Sequence, residues 1–130
     1  MHGFITLLVL WALWICSSCL ATISEPFHHR KLYEKALVYL RAGDHVSAAN
    51  MLVLAIDQDD DNGEYHQLLG SLYMSLAENE LACEHLEKAL LSLGWENPKT
   101  LVVSNYIEAL RRAGMMERAR TAAGKSKPKV

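Results

Sequence analysis

The chain has 130 residues, 51% of them hydrophobic, and its 13 Lys and Arg stand against 15 Asp and Glu for a formal net charge of −2. That is enough for one small domain and too little for a large enzyme. A near-neutral balance with no interleaving of aromatic and basic residues argues against nucleic acid as a partner.

The first element is a hydrophobic helix. Phe4 to Cys16 reads FITLLVLWALWIC, apolar except for Thr6, and the first charged side chain is Glu25. Two roles fit. As a secretory signal, residues 1–22 end in SSCLA, with Cys19 and Ala21 at the small positions before a cut after Ala21. As a membrane anchor, residues 3–23 reach the roughly 20 residues that a span needs. The opening Met-His-Gly lacks the basic residue common in signals. If the segment stays as an anchor, Arg30, Lys31 and Lys35 on its C-terminal side favour a cytoplasmic domain. The expected setting is the secretory pathway, secreted or in the ER lumen, or attachment to a membrane. Cys16 and Cys19 belong to this segment, where a redox pair has no supporting fold. Cys83 is then the only thiol of the domain, so no disulfide forms within it.

After Pro26 the pattern is helical and periodic. A shift of 34 residues places Tyr39 on Tyr73, Ala48 on Ala82, Leu52 on Leu86, Ala55 on Ala89 and Ala36 on Gly70. Small residues alternate with large ones, as two antiparallel helices need if their backbones are to approach closely. The first copy is LYEKALVYLRAGDHVSAANMLVLAIDQD.

Between the first and second copies lies DQDDDNGEY, residues 57–65, which has the look of a calcium loop. An EF-hand needs glycine at position 6 and glutamate at position 12. With Gly63 at position 6, Gln58 falls at position 1 and Leu69 at position 12. With Asp57 at position 1, Asn62 falls at position 6 and Leu68 at position 12. Neither register binds calcium. The stretch is expected to be a turn, with Asp61 capping the next helix and Glu64 as its reciprocal partner in a capping box.

The second copy is HQLLGSLYMSLAENELACEHLEKALLSL. A third, LVVSNYIEALRRAGMMERA, is offset by 37, with three residues inserted near Gly94 to Pro98 and Asn97-Pro98 expected to start its first helix. Its Arg112-Ala113-Gly114 turn repeats Arg41-Ala42-Gly43. Its second helix decays, with Ala123 and Ser126 where Leu52 and Ala55 stood. That helix is expected to be frayed or covered by a partner, because about three repeats are needed for stability. Residues 124–130 read as a basic, disordered tail.

These residues resemble the tetratricopeptide repeat (TPR) over about residues 29–123, most closely at Leu69-Gly70, Tyr73, Ala82, Leu86 and Ala89. The resemblance implies an all-α fold, a short α-solenoid of antiparallel helix pairs with two full repeats and a partial third. It also implies a non-catalytic protein–protein interaction adaptor whose first helices line a concave, partner-binding face. On alignment that face carries Tyr33, Leu37 and Leu40, then Glu64, Gln67, Ser71 and Met74, then Leu101, Ser104, Asn105, Glu108 and Arg111. Members that bind acidic chaperone tails use a clamp of Lys, Arg and Asn. Here Tyr33, Leu37, Leu68 and Leu101 stand at those places and only Asn105 remains. The face suits a helical or extended peptide better. The competing role is a fragment or accessory repeat unit of a larger enzyme.

No catalytic or metal constellation is legible. Of the six histidines, His28 and His29 flank the domain start, His45 lies in a turn region, and His66 and His85 lie on two helices of one repeat with no ligand spacing. No cofactor or metal is expected. Cys83 reads as a buried structural thiol, and Trp95 as a cap on the seam between the second and third repeats. Residues 42–98 hold eleven Asp and Glu and one Lys, whereas residues 99–130 hold eight Lys and Arg and two Glu. The basic end could dock on an acidic surface of a protein, another copy or a membrane.

Overall fold

Helix α1 (His28–Arg41) turns back through three residues into α2 (His45–Gln58). Asp44 starts α2 by accepting from the Ser47 N–H at 3.0 Å and the Ser47 hydroxyl at 2.6 Å, and these bonds hold its carboxyl below the usual carboxylate range. Along α2, Ala48, Ala49, Leu52, Ala55 and Ile56 share one face at helical spacing, and all five are buried. The second pair is α3 (Gly63–Ser75) with α4 (Asn79–Leu93), and the third is α5 (Val102–Arg112) with α6 (Met116–Lys125). Each pair packs on the next through α2 against α3 and α4 against α5, and α3 also touches α5. Among the described residues this is a solenoid of three helix pairs.

This computed structural model describes residues 3, 5–7, 9, 28–95 and 101–126. The expectations for the signal or anchor, for Asn97-Pro98 and for the end of the basic tail fall outside the described residues, apart from helical positions at 3, 5–7 and 9. Among the described residues no helix is long and apolar enough to cross a membrane.

The repeat is visible in the backbone as well as in the side chains. Within each pair one residue takes a positive φ, Gly43 at 79°, Ala77 at 60° and Gly114 at 77°. The hydrogen bonds around it recur. Gly43, Ala77 and Gly114 donate to Leu40, Met74 and Arg111, and the next residues, Asp44, Glu78 and Met115, donate to Tyr39, Tyr73 and Leu110. The left-handed region is easy for glycine and costs an L-residue about 1–2 kcal/mol. Ala77 is therefore the strained member of an otherwise glycine turn. Ala77→Gly is expected to stabilise the domain by about 0.5–1 kcal/mol, the relief being offset in part by a freer unfolded chain. A urea midpoint at or below that of the unmodified protein would show that the turn tolerates alanine without strain.

Two buried clusters form the core. Ala36, Ala48, Leu52, Ala55, Leu69 and Leu72 build the first, and Ala82, Leu86, Ala89, Leu90, Tyr106 and Leu110 belong to the second, with Tyr73 packed against both. Cys83 lies in the second cluster, and burial raises its thiol pKa.

Three details differ from the sequence expectations. The cap of α3 is Asn62, whose side chain accepts from the Tyr65 N–H at 3.3 Å and donates to the Asp59 carboxylate at 3.0 Å. An amide can do both, whereas a carboxylate at that place could only accept. Asp61 contributes its carbonyl, which accepts from the Ser92 hydroxyl of α4, and Glu64 is left exposed in the first turn. His45 is the first residue of α2 instead of a turn residue. The decaying second helix of the third copy still forms and runs to Lys125, with Ala119 and Ala122 buried. Polar contacts supply what its missing leucines do not. Arg118 donates to Glu87 of α4 at 3.0 Å and to the Tyr106 hydroxyl at 3.2 Å, and Lys125 sits 5.0 Å from the centre of the Trp95 ring.

Candidate functional site

The first helix of each pair, α1, α3 and α5, carries the side chains aligned to a concave face. On α1, Tyr33, Leu37 and Leu40 are half-buried. Tyr33 is engaged, its ring stacked on Tyr65 of α3 with centroids 4.9 Å apart and planes at 25°. Tyr65 is in turn bonded through its hydroxyl to His29 at 2.9 Å, and burial pushes its phenol up. These three rings tie α1 to α3, so the Tyr33 ring is engaged within the chain. Leu40 packs against the first core cluster.

On α3, Gln67, Ser71 and Met74 are half-buried. Ser71 donates its hydroxyl to the Gln67 carbonyl at 3.0 Å, while Met74 packs on the cluster that includes Val102 and Tyr106 of α5. On α5, Leu101 just before the helix is 72% exposed, Asn105 and Glu108 are half-buried, and Ser104 and Arg111 are exposed. Ser104 donates to the Leu101 carbonyl at 3.0 Å. Glu108 accepts from Arg112 at 3.1 Å and lies 3.9 Å from Arg111. The open polar groups at the aligned positions are therefore the Gln67 and Asn105 amides and the exposed Glu64 carboxylate, set among Leu37, Leu40, Met74 and Leu101.

The cations of the third helix pair have carboxylates beside them. Arg111 and Arg112 pair with Glu108, Arg118 with Glu87 and Arg120 with Glu117. Those four cations of α5 and α6 meet three carboxylates, with Glu108 shared by two of them. Trp95 meets Tyr106 edge-on at 5.8 Å and 79°, which places it on the seam expected of it.

The chain has the tetratricopeptide-repeat fold. It is similar to the first TPR of Spaghetti (RPAP3) bound to HSP90 peptide SRMEEVD, with a TM-score of 0.62 and 19% identity over 75% of this chain and 77% of that one. No family model matches the chain, and no curated protein matches it.

A second site, across the α3–α4 contact, was not legible from spacing. A cavity of about 380 Å³ is lined by Asp60, Asp61, His66, Lys88, Leu91 and Ser92. At its inner wall His66, 1% exposed, faces His85 of α4 with their Nδ1 atoms 2.9 Å apart. Nineteen residues separate the two in sequence, so no local motif marks them. The repeat alignment does carry a signal. The same two positions hold Leu32 and Met51 in the first copy and Val103 and Ala122 in the third, all packed on the cores. Among the described residues no group of three or more His, Cys, Asp or Glu side chains is placed to hold a metal ion.

Proposed function

We propose that the chain is a non-catalytic adaptor that holds a peptide or helix of a partner protein along the groove of α1, α3 and α5, in the secretory pathway or at a membrane reached through residues 3–23. The observation that carries this reading is the row of half-buried side chains, Leu37, Gln67, Ser71, Met74 and Asn105, on the first helices of three consecutive pairs. Solvent still reaches them although each helix is packed into the solenoid, and a bound chain would bury them.

The peptide-bound state of the first TPR of Spaghetti supports the use of such a groove. The chemistry of the partner differs. An acidic tail needs free cations, and here Tyr33 is stacked, Leu37, Leu68 and Leu101 are apolar, and Arg111 and Arg112 are paired with Glu108. A partner with apolar side chains at alternate or helical spacing, and backbone groups for the Gln67 and Asn105 amides, fits better. Docking of the basic end on an acidic surface is a secondary part of this reading.

Peptides selected by display against the full chain are expected to bind at about micromolar Kd, roughly −8 kcal/mol. Leu37→Asp and Ser71→Arg should each weaken them at least about tenfold with melting unchanged, and SRMEEVD should bind more weakly than about 1 mM. Selected peptides indifferent to both substitutions would move the site off this face. Micromolar binding of SRMEEVD would overturn the stated partner chemistry.

A further inference from the structure

The ring nitrogens of His66 are both committed. Its Nε2 lies 2.7 Å from the Asp60 carbonyl and its Nδ1 lies 2.9 Å from Nδ1 of His85, with the rings stacked at 5.2 Å and 23°. A carbonyl only accepts, so Nε2 of His66 carries the hydrogen and donates. In the neutral ring Nδ1 of His66 must then accept, and Nδ1–H of His85 is its donor. One assignment of tautomers satisfies both bonds, and it joins α3, α4 and the turn that precedes α3. In the flanking repeats the equivalent positions hold Leu32 and Met51, and Val103 and Ala122, side chains that pack on the cores and do not titrate.

We propose that the His66–His85 contact is an acid-weakened latch, which braces the second helix pair at neutral pH and gives way as the solution becomes acidic enough to charge both rings. One proton can be accommodated. The Asp60 carboxylate, 3.9 Å from Nε2 of His66, can balance a charge on His66, whose Nδ1–H then donates to Nδ1 of a still neutral His85. A second proton puts a hydrogen on both facing Nδ1 atoms and a positive charge on both stacked rings, and the bond is lost.

The groups around the pair are Asp60 and Asp61 in the turn, Tyr73 of α3 with its ring 5.5 Å from His85, and Glu84 and Lys88 of α4. Burial, then the neighbouring His66, lowers His85 to about 4, with Lys88 adding to this and Glu84 and Asp60 opposing it. In the unfolded chain His85 takes its proton near the ordinary value of about 6.5. Between those values the unfolded state binds the proton and the folded state does not. The stability contributed by the neutral ring is therefore complete above about pH 6.5 and falls away as the pH drops toward 4. Because α3 also carries Gln67, Ser71 and Met74, the groove would loosen over the same range, a consequence that alone rests on the peptide-binding reading.

The test compares the full chain with the double variant His66→Leu/His85→Met, which installs the pair found in the first repeat. Between pH 7 and pH 4.5 the melting temperature of the unmodified protein is expected to fall by about 5 °C more than that of the variant. An equal fall in both would overturn the latch. A titration of the imidazole nitrogens of the unmodified protein by NMR decides the matter even if the variant does not fold. One ring staying neutral until near pH 4, with loss of α3–α4 amide protection as it titrates, is the expected result. Two rings titrating independently near the ordinary value would overturn it.

Discussion

Replacing Leu86 by alanine is expected to destabilise the domain by about 3–4 kcal/mol, within the range measured for fully buried leucines. Leu86 is 0% exposed and sits where α4 crosses α3, inside the second core cluster. Its partner across the crossing is Gly70, whose backbone cannot move in to fill a void without disturbing both helices. The cavity would therefore remain largely open, and the cavity contribution adds to the lost transfer energy. Against a total stability of about 5–15 kcal/mol for a domain, this removes a large fraction. Urea unfolding should show the midpoint falling with the slope unchanged. A loss below about 1 kcal/mol would mean that the crossing repacks freely, contrary to the fit of the two residues.

The converse substitution, Gly70→Val, should cost about 2–3 kcal/mol. A Cβ built on Gly70 would lie 2.6 Å from Cγ of Leu86, 2.9 Å from its Cδ2 and 3.3 Å from its backbone nitrogen. Cγ is the branch point of a fully buried side chain, so the helices must separate. Overpacking of this kind costs about 1–3 kcal/mol, and valine adds to it because a second branch enters the same space. The gain in helix propensity over glycine, a few tenths of a kcal/mol, does not offset it. The two substitutions should be coupled, because the volume removed at Leu86 is the volume that valine needs. Gly70→Val combined with Leu86→Ala is expected to be more stable than the sum of the single losses by at least about 1 kcal/mol. Strict additivity would show that the two residues do not share one contact.

These two positions also show how far the sequence reaches. The 34-residue shift pairs Ala36 with Gly70 and Leu52 with Leu86, and the structure buries all four. A repeated core is legible because each repeat must bury the same face against its neighbour, which imposes the same small and large residues at the same spacing. The turn at Arg41 to Gly43 could be found again at Arg112 to Gly114 for a similar reason, since a positive φ selects glycine. At Ala77 that signal is missing although the turn is the same, and the hydrogen bonds of the flanking helices impose it.

The candidate groove was legible only in outline. Alignment placed Tyr33 and Glu108 on the concave face, but their partners, Tyr65 on another helix and Arg112 one turn later, decide how much of each is free to meet a ligand. The cap of α3 shows the same limit. Asp61 and Asn62 are both good capping residues, and the choice between them depends on Asp59 and on Ser92 of a helix thirty residues away.

The sequence by itself determined the repeat period, the order of paired helices and the small and large residues of the core, because all three follow from a periodic burial pattern carried along one chain. Tertiary structure alone decided that His66 meets His85, that Arg118 reaches Glu87 and Tyr106, and that the last helix forms without its leucines. Those contacts join side chains of different helices, and their strength depends on distance and burial, which no spacing along the chain encodes.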